Sequence, residues 1–399
     1  MKKVYILLLV LFIVSCCRND NRGKLYNFEQ ALKTGRFTKV NFYMWGGSVT
    51  INKWIDEYVA AGVKEKYGIK LKRIPMDASV FVNKLITEKQ AHKYRGTIDL
   101  LWINGENFKN SYEAGLLYGP FADQLPNYIN LVDQAAVKYD FGYPTNQFEA
   151  PYGRAQFVFE LDSAKYSAPK NLLELKQWII DNPGKFTYPQ PPDFTGSAFI
   201  RQMFYAVTGG ADQYLSGYDE KLYQENSAIL WEFLNEIKPY LWQKGETYPQ
   251  NSAALDLLFQ RGEVGINMSY HQANASNKIL QGLYPQTVRS FVLEEGSIFN
   301  THFTAIPFNA PNVPGAMLVA NFLLEPSTQL DKNDPKNWGD FTALDISKLS
   351  SADQTKFAEL DLGESTLPLE TLSKYAVPEI PSDYLLQLEQ DWTKHVLGK

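Results

Sequence analysis

The chain has 399 residues, too many for one ordinary core and enough for two. A composition of 45% hydrophobic and 21% charged residues describes a globular protein rather than a disordered one. Lysine and arginine total 39 against 44 aspartates and glutamates, a formal net charge of -5, which argues against a basic nucleic-acid-binding surface.

At the start, Lys2 and Lys3 precede an unbroken apolar stretch from Val4 to Val14. That stretch is too short to span a bilayer and reads as the core of a secretion signal. It ends Ile13-Val14-Ser15-Cys16, which resembles the lipobox cleaved before a cysteine in bacterial lipoproteins. The expectation is a signal peptide over 1–15, a lipid on Cys16 and a polar tether over 16–36; an ordinary signal peptide is the alternative. Cys16 and Cys17 are the only cysteines, and neighbours this close rarely pair, so no disulfide, zinc site or redox couple is expected.

From Val40 to Asn104 the pattern alternates strand and helix. Lys39 to Trp45 is a β-prone run stopped by Gly46-Gly47. Ser48 or Thr50 caps a helix whose apolar positions, Ile51, Trp54, Ile55, Tyr58, Val59 and Val63, share one face, and Gly68 ends it. Ile69 to Met76 is a second strand. Asp77 caps a helix carrying Val82, Leu85 and Ile86, and Ile98 to Ile103 is a third strand suited to a parallel sheet covered on both faces. This predicts a doubly wound α/β layer.

A second α/β region follows. Strands are predicted at Gln156 to Leu161, Glu263 to Tyr270, Thr287 to Leu293 and Ser297 to Pro307. Helices are predicted at Leu172 to Asp181, after Asp193 through Tyr205, at Ile229 to Leu241, Ala253 to Gln260, Ala273 to Leu280, and Gly315 to Leu324. The expected architecture is a two-lobed α/β fold, each lobe a sheet flanked by helices. Lobe one takes 37–148 plus 305–399 and lobe two takes 149–304, with crossings near Asn146 to Pro151 and Asn300 to Pro307.

Ligands of open parallel sheets bind where loops leave the carboxyl ends of strands and meet helix N-termini. The first strand ends in Trp45-Gly46-Gly47-Ser48 and the third in Asn104-Gly105-Glu106-Asn107, so both loops face one crevice. Glycines let the backbone approach a ligand; Trp45 offers a stacking face, and Glu106 a carboxylate for a cation. Taken singly, Trp45 is equally a core residue and Asn107 a helix cap. On the other side stand Gln156, then Phe194, Thr195 and Ser197 in Asp193-Phe194-Thr195-Gly196-Ser197. Asn267, Ser269 and Tyr270 follow at a strand end, with Asn300 at the second crossing. Thr195 or Ser197 also fits plain N-capping.

Enzyme motifs are missing: no GxSxG elbow, HExxH or GxxxxGK[ST] loop occurs. Ser167-Ala168-Pro169-Lys170 and Lys33-Thr34-Gly35 match SxxK and KTG by accident, in reversed order and with a helix-breaking proline. His92, His271, His302 and His395 lack metal-ligand spacing, so no metal and no cofactor is expected.

Several segments carry a resemblance: Tyr43-Met44-Trp45-Gly46-Gly47, Asp99 through Phe108, Gly153-Arg154-Ala155-Gln156-Phe157, Pro191 through Ser197, Asn300 through Pro307, Val319 through Leu324, and Trp338-Gly339-Asp340. Through them the chain resembles the YnjB-like family of ABC-transporter substrate-binding proteins, over roughly residues 40 to 345. The resemblance implies a periplasmic-binding-protein fold of the second type. It also implies delivery of a small solute to a membrane permease and its ATPase; with the lipid expected on Cys16, the expectation is an extracytoplasmic, membrane-anchored monomer. It carries over no binding residues. A small cationic or heterocyclic solute, thiamine- or polyamine-like, suits Trp45, Phe194, Tyr270 and Glu106. An oligosaccharide is the alternative, and a surface-tethered hydrolase or an adhesin competes from other classes.

Overall fold

The apolar residues of the early strands split cleanly between two faces of one sheet. A computed structural model describes residues 24–398. Its strands are β1 (Lys39–Met44), β2 (Lys70–Pro75), β3 (Leu100–Ile103), β4 (Leu117–Tyr118), β5 (Tyr139–Asp140), β6 (Tyr143–Pro144), β7 (Glu149–Gln156), β8 (Val158–Asp162), β9 (Ile266–Ser269), β10 (Val288–Phe291), β11 (Ser297–Pro307) and β12 (Ala376–Val377). β1 pairs in parallel with β2 and β3, in a seven-stranded sheet whose main path runs β12-β11-β3-β1-β2. Val40, Phe42, Met44 and Leu100 bury on one face with Ile51, Ile55, Val59 and Val63. Tyr43, Leu101 and Ile103 bury on the other with Phe81, Val82 and Leu85. Alternating side chains on a strand, each side met by a helix, give the doubly wound layer the sequence predicts.

The helix after β1 runs from Val49 to Tyr67, with a π-helical turn over Trp54–Val59, and closes at Gly68 as expected. Ser48 is its cap, accepting from the Ile51 amide at 3.3 Å.

In the second lobe, β10-β8-β9 form an antiparallel sheet. Phe157, Phe159 and Leu161 pack there with Phe199 and Met203 of the helix Phe194–Thr208 and with Leu230 and Leu234 of the helix Glu220–Ile237. That last helix begins nine residues before the predicted Ile229, because Asp219 caps it by accepting from the Leu222 amide.

Two extended strands join the lobes. β7 and β11 lie antiparallel from Phe299↔Gln156 to Ala305↔Glu149, with a register shift between His302 and Phe303. The far part of β11 also pairs with β3 inside the first sheet, and β7 leads through Phe157 into β8. The fold is thus the two-lobed α/β architecture of type II periplasmic-binding proteins.

The chain ends differ from the expected division. The helix Ser351–Ala358 still packs Phe357 against the first core, and from Leu362 the chain runs over the second lobe, where Ser365 donates to the Val288 carbonyl and Ser276 meets Thr366. Ile380, Tyr384, Leu388, Trp392 and Val396 then bury in the second core, so this end does not pack with lobe one as the 305–399 assignment expects. A spacing of four puts Tyr384, Leu388 and Trp392 on one face of the helix Ser382–Trp392, which needs an apolar partner that the second lobe supplies. At the other end, the expected tether over 16–36 is corrected from Asn27 onward. Asn27 builds a capping box on the helix Phe28–Gly35, and Ala31 is fully buried. Cys16 and the expected signal peptide lie outside the described residues. Among the described residues, no helix is long and apolar enough to cross a membrane.

Candidate functional site between the lobes

β1 and β3 are parallel neighbours, so Trp45–Ser48 and Asn104–Asn107 leave the sheet at the same edge, as expected. Gly105 sits at φ 63° in front of the helix Glu106–Glu113. A side chain there would strain the backbone. Its amide donates to Asp140 Oδ2 at 2.6 Å, tying the β5–β6 hairpin to the start of that helix. Glu106 opens the helix half-buried, and its Oε1 accepts from Asn107 Nδ2 at 2.7 Å.

Facing this edge is the helix Phe194–Thr208, which carries Arg201 in the middle of an otherwise almost wholly buried run. Arg201 is 1% exposed and forms a two-pronged ion pair with Glu379, Nε to Oε2 at 2.7 Å and Nη2 to Oε1 at 2.8 Å. Tyr270 donates to the same Glu379 at 2.8 Å, and the Phe194 ring lies 5.0 Å from the Tyr270 ring. Ser197 donates to Glu389 on the C-terminal helix. The Arg201 guanidinium also lies over the ring of Phe141, at the hairpin of the first lobe, 5.5 Å from its centre.

The electrostatics are lopsided. Burial pushes Glu106 up to about 7, and the charges of Glu389 and Glu379 push the same way against Arg201. Burial raises Asp140 well above the usual carboxylate range, with Glu106 and Glu379 adding to it. Glu149, fully buried on β7, is raised by burial and by Asp140, and neither of its carboxylate oxygens has a hydrogen-bond partner. Glu389 is raised mainly by burial. Burial opposes the Arg201 charge, but Glu379 more than compensates and holds the guanidinium ionised. Arg201 is already committed to Glu379, so the remaining carboxylates have no paired counter-charge of their own. A positive charge placed beside such acids would favour their charged forms. Among the described residues, no group of three histidine, cysteine, aspartate or glutamate side chains is placed to hold a metal ion.

The expected residues divide. Glu106, Asn107, Ser197, Phe194 and Tyr270 come together here. Thr195 lies at the same helix start, but its amide and that of Gly196 both donate to Asp193 Oδ1 at 3.0 Å. Asp193 is therefore the cap expected of Thr195 or Ser197, and those amides are already used. Trp45 is 44% exposed and its ring lies over Gly47, where an added Cβ would stand 2.1 Å from a ring carbon. The Gly46 carbonyl accepts from Asn52. Asn104 is half-buried at the strand end beside them. Gln156 binds the Leu372 carbonyl at 2.9 Å and is part of the crossing. Asn267 is fully buried and bound to Glu160, Asp256 and Tyr284, within the second lobe. Asn300 is buried on β11 with neither amide atom partnered.

Sequence reasoning missed Asp140, Glu149, Arg201, Glu379 and Glu389. One signal was available: an arginine inside a helix apolar on all sides requires a buried acid.

Two further contacts tie the lobes together across the gap. Lys109 meets Asp383 Oδ2 at 2.8 Å, and Gln281 donates to Thr50 at 3.0 Å. An open cavity of about 560 Å³ lies elsewhere, lined by Phe28, Leu32, Lys66, Tyr67 and Asn321, none of which belongs to the interlobe cluster.

The profile of the bacterial extracellular solute-binding proteins matches residues 57–332. Protein YnjB of Escherichia coli (strain K12) is 37% identical over 357 residues, 88% of this chain and 89% of that protein. Among solved structures, an ABC transporter substrate-binding protein from Bradyrhizobium japonicum superposes with a TM-score of 0.61 at 15% identity, covering 90% of this chain and 99% of the other. The spermidine/putrescine substrate-binding protein PotD of Streptococcus pneumoniae superposes at 0.59, also at 15% identity, covering 88% and 99%. At such identities the structures speak for the fold alone.

Proposed function

Since the chain belongs to the family of bacterial extracellular solute-binding proteins, we propose that it is the substrate-binding component of an ABC importer and holds a small cationic solute between its lobes. The single observation carrying the choice of ligand is the acidic interlobe cluster. Glu106 and Asp140 come from one side, Glu389 and Glu379 from the other, and the Arg201 charge set among them is already paired. The exposed Phe194 ring beside Tyr270 adds an aromatic face for an organic cation.

In this reading the lobes, 37–148 with the chain from 305 through Ala358 and 149–304 with the C-terminal helix, rotate about β7 and β11. Trp45, Gly46, Gly47, Asn104, Glu106 and Asn107 form one wall, and Phe194, Thr195, Ser197 and Tyr270 the other. Asn300 and Gln156 lie at the crossing, and Asn267 supports the second wall from behind. Solute contacts shared by the walls shift the population toward closure, which a permease with its ATPase reads. The protein acts as a monomer held to the membrane by a lipid on Cys16.

Native mass spectrometry of freshly purified protein tests this by weighing the co-purified solute. Titration calorimetry with that solute at rising ionic strength then separates the ligand classes. A cation loses affinity as salt screens the cluster, whereas an uncharged sugar keeps it and would overturn the cationic reading. Phe194→Ala is expected to weaken binding of the cation about tenfold, on the scale of one desolvated cation–aromatic contact.

A further inference from the structure

Phe194, Ser197 and Arg201 follow one another at spacings of three and four, so they share one face of their helix. The Arg201 guanidinium ends that row against the Phe141 ring of the first lobe, 5.5 Å from its centre, so it stands where the two lobes meet. A guanidinium carries five N–H donors in one plane. Nε and Nη2 give theirs to Glu379, at 2.7 and 2.8 Å. Nη1, equally buried, has no hydrogen-bond partner. Donors this buried are nearly always satisfied, so an acceptor belongs beside it. The polar groups around it are held elsewhere. Tyr270 is turned to Glu379, Tyr205 to the Pro378 carbonyl, Ser197 to Glu389, and Glu106 takes the Asn107 amide.

We propose that Arg201 Nη1 is a specificity-determining contact of the solute site, donating to an uncharged acceptor of the solute, a carbonyl oxygen or an unprotonated ring nitrogen. This rests on the reading of the interlobe gap as the solute site and narrows the class of solute that fits it. The charge of Arg201 is already matched by Glu379, and the neighbouring acids Glu106, Asp140 and Glu389 have their charged forms disfavoured by burial. A solute carboxylate would meet the same penalty, whereas a neutral acceptor completes the donor without adding charge. A polyamine with every nitrogen protonated offers only donors and leaves Nη1 unmade. A cationic heterocycle that keeps a neutral ring nitrogen satisfies it, so the heterocycle is the better match of the two cations.

A crystal structure of the full chain as purified, with any bound solute left in place and at a resolution that shows water, tests this. The expected result is a carbonyl oxygen or ring nitrogen of the solute within about 3 Å of Nη1. A water, a protein carboxylate or a solute carboxylate in that position overturns the inference, whether the gap is otherwise filled or empty. Arg201→Lys keeps a positive charge opposite Glu379 but loses the Nη1 donors. Purified in the same way and weighed by native mass spectrometry, it is expected to retain about tenfold less solute than the wild type. Undiminished retention counts against the inference, and the wild-type structure decides alone if the variant fails to fold. The cationic reading fails separately: a solute without positive charge whose neutral acceptor meets Nη1 sinks that reading and keeps this one. A solute seated outside the gap sinks the site itself.

Discussion

Two buried charge clusters flank the crossing strands, and they are built on opposite principles. On one side, Lys332 is fully buried and meets Asp340 at 2.8 Å, the Tyr152 carbonyl and the Phe341 carbonyl, while His302 Nε2 reaches Asp340 at 3.2 Å. Gln329 adds a second hydrogen bond to the Tyr152 carbonyl, and Arg154 pairs with Phe341 through the backbone. Lys332 holds Asp340 below the usual carboxylate range despite burial, so this cluster keeps both charges and spends them on fixing β7. The other cluster collects carboxylates around one already paired arginine, and its acids are pushed up. A buried cluster whose opposite charges are matched works as a fastener. One that gathers acids around a single paired arginine instead pushes those acids toward their neutral form.

The comparison can be broken hardest at Lys332. Lys332→Met leaves Asp340 buried without its main partner and is expected to cost about 3–5 kcal/mol in urea unfolding. A loss below about 1 kcal/mol would place the fastener elsewhere. Gly153→Ala comes next. An added Cβ would stand 1.9 Å from Asp340 Oδ2 and 2.3 Å from Lys332 Nζ, so the pair must separate, at about 1–3 kcal/mol of overpacking. A crystal structure of the variant should show Asp340 displaced; an unmoved pair would contradict the tight fit.

Titration sharpens the contrast. Glu106 is raised in the folded protein, so the folded state holds a proton that the unfolded chain releases, and the stability this gives is lost as pH rises toward 7. The sign is reversed for Asp340, whose depressed value gives stability that is lost only as the pH falls below the ordinary carboxylate range. Glu106→Gln is therefore expected to gain stability relative to the wild type as pH rises from 5 to 8. A difference in melting temperature that stays constant over that range would refute the assignment. The smallest effect is expected from Asp383→Asn, since the Lys109–Asp383 pair is partly exposed: less than about 1 kcal/mol of stability. A larger loss would mean that this contact fixes the lobes rather than merely meeting across the gap.

How much of this was legible depended on whether the information was local. Helix bounds such as Leu172–Asp181 and the strand Ser297–Pro307 could be read because caps, turn residues and periodicity lie within a few positions of each other. Glu106 could be read as a site residue because a strand end, a glycine and a helix start adjoin it. Asn267 fitted the same pattern, yet it faces Glu160, Asp256 and Tyr284 within its own lobe, because which way a strand-end side chain turns depends on the neighbours the sheet brings.

By itself the sequence determined the alternation of strands and helices, the doubly wound first sheet, the extended crossings and one acid of the site. The tertiary structure alone decided where the last fifty residues go and which charges meet. Arg201 and Glu379 are 178 positions apart and share no motif, and Ser197 and Glu389 are 192 apart. Pairings at that separation follow from which apolar faces bury together, because the core carries the polar side chains with it. An amphipathic stripe such as Tyr384, Leu388 and Trp392 states that a partner is needed without stating which core provides it.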